Sequence, residues 1–262
     1  MTDNINKGEV KSLDEKAFPC GNAIIITNLT KKYGGLCAVD SLNLAIKKGE
    51  LFSLLGVNGA GKTTAIKMLS GLTAPSGGDA LLLGKSVNEN SRAVKQKINI
   101  SPQETAVAEN LTVSENLEFI AGIYGQRGKI ARQSALNMAQ RLGLEQVLNK
   151  RVKTLSGGMK RRLSIAMALI SNPEILFLDE PTLGLDVLAR RELWSFISSL
   201  KGKVTIILTT HYLEEAEALS DRVGIMARGK LVAAGTVKEL MLQTGKQKLE
   251  DAFVALAGGE AQ

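Results

Sequence analysis

Aromatic residues make up only 4% of this sequence, and proline occurs five times and cysteine twice in 262 residues. With 44% hydrophobic and 23% charged residues, the chain lacks any collagen-like, proline-rich or disordered signature and has enough apolar material for a sizeable core. Cys20 and Cys37 belong to no CxxC or Cys/His cluster, which argues against a disulfide framework or a zinc site. Both are expected to be small apolar fillers. The longest apolar runs, such as Ile165–Ile170 and Ile175–Leu178, fall far short of the roughly 20 residues that a bilayer demands. Any action at a membrane is therefore expected from outside it. Met1 to Lys16 mixes acids, amides and lysines without the apolar stretch of a signal peptide, so the chain is expected to stay in the cytosol. The net charge of +7 favours anionic partners such as nucleotides, acidic lipid surfaces or nucleic acid without choosing among them.

The length suits one α/β domain carrying an inserted subdomain. Residues 1–20 read as a polar extension, residues 21–240 as the main domain and residues 241–262 as a short helical tail. Ala23–Thr27 and Leu36–Ile46 read as strands, and Leu51–Leu55 is a near-continuous apolar run of the kind buried on both faces of a sheet. A glycine-rich stretch and a helical pattern over Lys62–Leu72 follow. From about Glu104 to Ile170, Leu111, Val113, Leu117, Ile120, Leu136, Met138, Leu142 and Leu144 recur at helical spacing, which predicts a helical insertion. Strand patterns return at Ile175–Leu178, Val204–Leu208, Val223–Met226 and Leu231–Ala234. The sheet is thus expected to draw on two separated stretches of chain. Leu249, Ala252, Phe253 and Leu256 would line one face of a terminal amphipathic helix, packed inward.

Gly56, Val57, Asn58, Gly59, Ala60, Gly61, Lys62 and Thr63, with Thr64 next, fit GxxxxGK[ST] between a predicted strand and a predicted helix. The glycines let successive backbone N–H groups turn inward around an anion, and the following helix adds its positive N-terminal end. Lys62 would reach the β- and γ-phosphates of a nucleotide, and Thr63 would place its hydroxyl on Mg²⁺. Ile175–Glu180 reads ILFLDE, an apolar strand ending in two carboxylates where α/β sheets bind ligands. Asp179 would hold the hydrated Mg²⁺, and Glu180 would polarise the attacking water as general base.

Between these motifs stands Leu155, Ser156, Gly157, Gly158, Met159, with Ser156 lying 23 residues before Asp179. Alone, a Ser-Gly-Gly turn reads as a helix N-cap. In this order the sequence resembles the ATP-binding cassette (ABC) family, over about Ala23 to Gly235. The resemblance implies a P-loop NTPase (RecA-like) core with an antiparallel β subdomain and an inserted α-helical subdomain over about 104–170. It implies that Tyr33 stacks on adenine, and that Gln103 joins the core to the helical subdomain and reaches Mg²⁺. It implies also that Asp186 lies in a loop crossing to a partner subunit, and that His211, the sole histidine, contacts the γ-phosphate. Met159 and Val57 depart from the family's usual glutamine and proline, and neither change removes a backbone donor or a charge.

The resemblance further implies ATP hydrolysis in a head-to-tail dimer, homo- or heterodimeric, with Leu155–Met159 closing on ATP bound by the other subunit. A separate multi-span membrane subunit would dock beside Gln103, Glu104 and the helix after Leu111, holding this chain on the inner face of the cell membrane. LSGGMKRRLSIAMALI, PTLGLD and LEDAFVAL resemble a bacterial export-type branch carrying drugs, lipids, polysaccharides or peptides. A soluble cassette ATPase acting on nucleic acid, ribosomes or cofactor assembly is the rival reading. One cassette, no long coiled coil between motifs and no aromatic-interleaved basic platform weigh against it, and no nucleic-acid partner is expected. A non-hydrolysing nucleotide binder is disfavoured because Lys62, Asp179, Glu180 and His211 are all present. Lys150, Arg151, Lys153, Lys160, Arg161 and Arg162 are expected to form a solvated helix face or a surface near anionic lipid heads.

Overall fold

The computed structural model describes residues 18–258, so most of the polar N-terminal extension and the last four residues lie outside it. Two sheets organise the described residues. The first is antiparallel, in the order β2-β1-β4-β5, built from β1 (Asn22–Tyr33), β2 (Leu36–Lys47), β4 (Gly77–Leu82) and β5 (Lys85–Ser86). In β2, Leu42, Leu44 and Ile46 are buried while Asn43, Ala45 and Lys47 face solvent, the two-residue period of a half-covered strand.

The second sheet has the order β10-β9-β3-β8-β7-β6. Its strands are β3 (Leu51–Leu55), β6 (Ile98–Ser101), β7 (Ile175–Asp179), β8 (Thr205–Thr210), β9 (Arg222–Ala227) and β10 (Lys230–Gly235). All neighbours pair in parallel except β10, which runs antiparallel to β9 at one edge. LFSLL, ILFLD and TIILTT are buried throughout, as central parallel strands covered on both faces must be. Alternation divides their side chains between two cores. Phe52, Phe177 and Ile207 join β1, β2 and helix α1 (Lys62–Leu69). Leu51, Leu176, Leu178, Ile206 and Leu208 join the helices α3 (Val113–Ile123), α4 (Lys129–Arg141), α5 (Gly157–Leu169) and α6 (Val187–Ser198). This is a P-loop NTPase fold of mixed α/β class.

Helix α3 starts where the side chain of Thr112 accepts from the Glu115 N–H and Glu115 accepts from the Thr112 N–H, a reciprocal cap that fixes the helix entry. Below the sheet, Leu55, Val223 and Ile225 meet α7 (Leu213–Leu219), α8 (Val237–Thr244) and α9 (Leu249–Gly258). Leu249 and Ala252 are buried there with Phe253 and Leu256 against them, the inward face expected of that helix.

The structure differs from the sequence reading in several places. Strand β1 runs six residues past Thr27, because Leu29 continues its buried face and the pairing with β2 extends to Tyr33. Strands β4, β5 and β6 had no expected counterpart: they are short, and β4 opens on Gly77, Gly78 and Asp79. Helix α1 ends at Leu69 rather than Leu72. Cys20 is exposed and Cys37 half-buried, so neither is an apolar filler. A short helix, α2 (Ser91–Lys95), precedes β6.

Leu117 is fully buried in the core shared by α3, α4 and α5. Leu117→Ala should lower stability by about 2–5 kcal/mol through the cavity it leaves, read as a reduced midpoint in urea unfolding.

Candidate nucleotide site

The loop between β3 and α1 is shaped by glycines that tolerate no side chain. A Cβ on Gly56 would lie 2.5 Å from the Met226 carbonyl oxygen, and one on Gly61, at φ 102°, would lie 2.4 Å from that of Ala38. Gly61 caps α1 in a left-handed conformation and so turns the chain into the helix. The loop opens onto a cleft of about 720 Å³ lined by Tyr33, Asn58–Thr64, Gln103, Glu180 and His211. Leu36, Cys37, Ala38, Leu183, Arg228 and Gly229 complete the wall.

Charges converge at one end of this cleft. Lys62 is buried, and its Nζ donates to the carbonyls of Gly56 at 2.7 Å and Val57 at 3.2 Å. It also pairs with Glu180 Oε1 at 3.4 Å. The other carboxylate oxygen, Oε2, lies 2.7 Å from His211 Nδ1. Glu180 adopts φ 50°, unusual for a residue with a Cβ, and its N–H donates to both the carbonyl and the hydroxyl of Thr209 at 3.1 Å. The left-handed turn after β7 thus swings its carboxylate across to the loop and to the end of β8.

Asp179 is buried behind the loop, and its Oδ1 accepts from Thr63 Oγ1 at 3.1 Å and from the Thr209 hydroxyl. One carboxylate and one hydroxyl at the foot of a phosphate cradle form a hard oxygen pair suited to Mg²⁺, which takes such ligands together with phosphates and water. Gln103 lines the same cleft from the segment after β6.

The expected residues divide into two groups. Tyr33, Asn58, Gly59, Ala60, Gly61, Lys62, Thr63, Thr64, Gln103, Glu180 and His211 surround the cleft, with Gly56 and Asp179 beneath it. Leu155–Met159 and Asp186 do not line it. Ser156 is the exposed N-cap of α5, accepting from the Met159 N–H, and Asp186 caps α6 by accepting from the Ala189 N–H.

Arg161 requires a correction. Instead of a solvated face, its side chain is buried, donating from Nε to the Pro181 carbonyl at 2.9 Å and from Nη1 to those of Pro102 and Gln103. Nη2 donates to the Asp179 carbonyl. One guanidinium therefore ties α5 to the segment bearing Gln103 and to both sides of Glu180. Burial pushes it down to about 10, opposed by the charges of Asp179, Glu215 and Glu180, so it stays protonated at neutral pH. Its neighbours instead form surface pairs, Lys160 with Glu109 and Arg162 with Glu192. Lys150 lies in a bend and Lys153 in a short 3-10 turn, Val152–Thr154, before α5 rather than on a face of that helix. The buried position is the fifth of helix α5 and carries no periodic signature, since arginines stand on both helical and loop surfaces throughout the chain.

Arg161→Met and Arg161→Lys should each destabilise the protein, the methionine by about 3 kcal/mol, because buried carbonyls lose donors that only a planar fork can supply together. Calorimetric melting would check this; an unchanged Tm for Arg161→Met would show that the carbonyls find other donors.

The sequence matches the ABC transporter family over residues 39–183. It is 42% identical over 244 residues to the probable multidrug ABC transporter ATP-binding protein YbhF of Escherichia coli (strain K12), covering 91% of this chain and 42% of that protein. This chain thus spans about two fifths of that relative. It is 40% identical over 228 residues to the daunorubicin/doxorubicin resistance ATP-binding protein DrrA of Streptomyces peucetius, covering 87% of this chain and 69% of that one. Among solved structures, the dimeric post-hydrolysis state of the ATP-binding cassette MJ0796 bound to ADP and Pi superposes with a TM-score of 0.74 at 27% identity, over 82% of this chain and 98% of that one. The family match covers more than half of the chain and reaches from β2 to the turn after Glu180, so the chain belongs to the ABC transporter family.

Proposed function

We propose that this chain binds and hydrolyses ATP and, as a dimer, drives transport through a separate multi-span membrane subunit. The observation that carries the reading is the Glu180 carboxylate held between Lys62 and His211 at the wall of a glycine-built phosphate cradle. Tyr33, half-exposed at the cleft mouth, offers a ring face to adenine. Lys62 exchanges its carbonyl and Glu180 contacts for the β- and γ-phosphate oxygens of the entering nucleotide. That exchange frees Glu180 to accept a proton from the attacking water, while His211 holds the second carboxylate oxygen in place and faces the γ-phosphate. Thr63 and Asp179 are the residues that would hold Mg²⁺, with Gln103 beside them. The bound ion would neutralise phosphate charge as the bond to the γ-phosphoryl group breaks.

Ser156 and the exposed start of α5 provide a second, positively polarised helix end that is not used within one chain. In a head-to-tail dimer it would close on the γ-phosphate in the partner's cleft, with Asp186 at the crossing loop. The dimeric state of the MJ0796 cassette bound to ADP and Pi supports dimerisation. Loss of the γ-phosphate contacts after hydrolysis would remove the reason for closure and let the subunits part.

Among the described residues no helix is long and apolar enough to cross a membrane. Phe119 and Ile123 on α3 and Ile130 on α4 expose most of their apolar surface. An apolar patch of this kind suits a cytoplasmic segment of a membrane protein. Peripheral attachment to the inner face of the membrane would follow from docking on that subunit, and drugs as cargo are supported by the names of the relatives YbhF and DrrA. No role for nucleic acid follows from the cleft or the patch.

Glu180→Gln should reduce ATP turnover by about 10²–10⁴-fold while preserving ATP binding, and should accumulate an ATP-bound dimer in size-exclusion chromatography. Turnover at the wild-type rate in that variant would remove Glu180 from the base role. Replacing Phe119 and Ile123 together by Asp should leave ATP binding intact and abolish co-purification of a multi-span protein from native membranes. Undiminished co-purification would place the docking surface elsewhere.

A further inference from the structure

Helix α7 begins two residues after His211 and carries a carboxyl group with no part in the scheme above. Glu215 is fully buried, and its Oε1 accepts from the indole N–H of Trp194 on α6 at 3.0 Å. The hydroxyls of Thr210 and Thr182 lie beside it. Thr210 immediately precedes His211 and Thr182 follows Glu180 by two residues. Neither Glu215 Oε2 nor Thr182 Oγ1 has a hydrogen bond of good geometry, although both are buried. One turn before Trp194 on α6, the Arg190 guanidinium stands 5.1 Å over the Tyr212 ring, whose centroid is 4.0 Å from that of His211. The helix headed by Asp186 therefore touches the His211 turn twice, through Arg190 on Tyr212 and through Trp194 on Glu215.

We propose that Glu215 is a positioning residue for the Glu180–His211 pair: its buried carboxyl fastens the turn after β7 and the turn after β8 to α6. Such a group acts through hydrogen bonds rather than through charge. Burial pushes the Glu215 carboxyl up and the nearby Glu180 charge does the same, against the Thr210 and Thr182 hydroxyls and the Trp194 indole, which favour the ionised form. Arg161 is the cation that faces it. Thr182 Oγ1 carries its own O–H and can donate to an ionised Oε2, and a protonated Oε2 can donate to Thr182 Oγ1 instead, so either form can link the two buried oxygens. In either form the carboxyl accepts from α6 and reaches the Glu180 turn through Thr182, a geometry that the isostere glutamine retains.

This inference rests on the ATPase reading, and its test separates the two. Trp194 is the single tryptophan of the chain, so its emission reports directly on the contact. Steady-state ATPase kinetics would be measured on the full-length wild type, E215A, E215Q and W194F, and tryptophan emission with and without Mg-ATP on the first three, which keep Trp194. In E215A, kcat should fall by about 10- to 100-fold with KM for ATP nearly unchanged, because the phosphate cradle is intact while the reacting groups lose alignment. The ATP-induced change in emission should disappear with it. E215Q should restore both signals. W194F, which keeps an aromatic ring but removes the N–H donor, should lower kcat in the same sense and serves if E215A does not fold. Wild-type kcat in folded E215A or W194F would overturn the proposal, as would E215Q behaving like E215A. Should the wild type itself bind ATP without turnover, the hydrolysis reading fails, and the emission change alone decides the present one: its persistence in E215A overturns the proposal, and its loss in E215A with return in E215Q upholds it.

Discussion

A carboxylate kept out of water between a lysine and a histidine sets the terms for much of this molecule. Glu180 is almost fully buried, and an unpaired charge there would be strongly disfavoured. Its two oxygens are therefore divided between Lys62, at the start of α1, and His211, just after β8. Parallel packing makes the division possible. Strands β7, β8 and β3 all end on the same edge of the sheet, so the residues following each one meet although they are distant in sequence. The left-handed turn at Glu180, braced by Thr209, is the local distortion that lets one carboxylate reach both neighbours.

The same edge explains why Arg161 is buried. Where β7 ends, the chain turns through Asp179, Glu180 and Pro181, and the carbonyls on either side of Glu180 point away from the sheet ladder. They need donors. A guanidinium on α5 supplies them while also reaching Pro102 and Gln103, so helix α5, the end of β6 and the Glu180 turn are fixed by one side chain. Since Ser156 heads that same helix, its position relative to the cleft is set partly through Arg161. A contiguous packed link of this kind is one route by which two sites can be coupled.

What the sequence made legible was governed by periodicity and by strict geometric motifs. Leu51–Leu55 and Ile175–Leu178 announce themselves because strands buried on both faces must be apolar throughout, and the glycine loop does so because Gly56 and Gly61 leave no room for a Cβ. Strands β4, β5 and β6 were silent: Gly77–Leu82 buries only its last three residues, β5 has two residues, and β6 alternates for four residues only. Arg161 was misread for a different reason. Sequence shows the charge and the helix but not the unpaired carbonyls of a distant turn, and those carbonyls decide whether an arginine stays in water. Glu215 was passed over on the same ground, since Glu214, Glu215 and Glu217 look alike in sequence and only the middle one is buried.

These two buried polar groups both meet the Glu180 turn, Arg161 holding its backbone and Glu215 lying near its Thr182. The guanidinium stays protonated although burial opposes it, chiefly through the charge of Asp179. The turn is thus tied to two helices, to α5 with Ser156 at its head through Arg161 and to α6 with Asp186 at its head through Trp194 and Glu215. If both helix starts meet a second copy across a shared nucleotide, either contact reaches Glu180 through few intervening groups, Arg161 on one route and Trp194 with Glu215 on the other. A displacement of either helix must then move the carboxylate or break a buried hydrogen bond. Because buried hydrogen bonds are expensive to leave unmade, the arrangement favours moving the carboxylate with the helix. Coupling between subunits would in that case follow from the satisfaction of buried polar groups around one strained turn rather than from any change in the sheet.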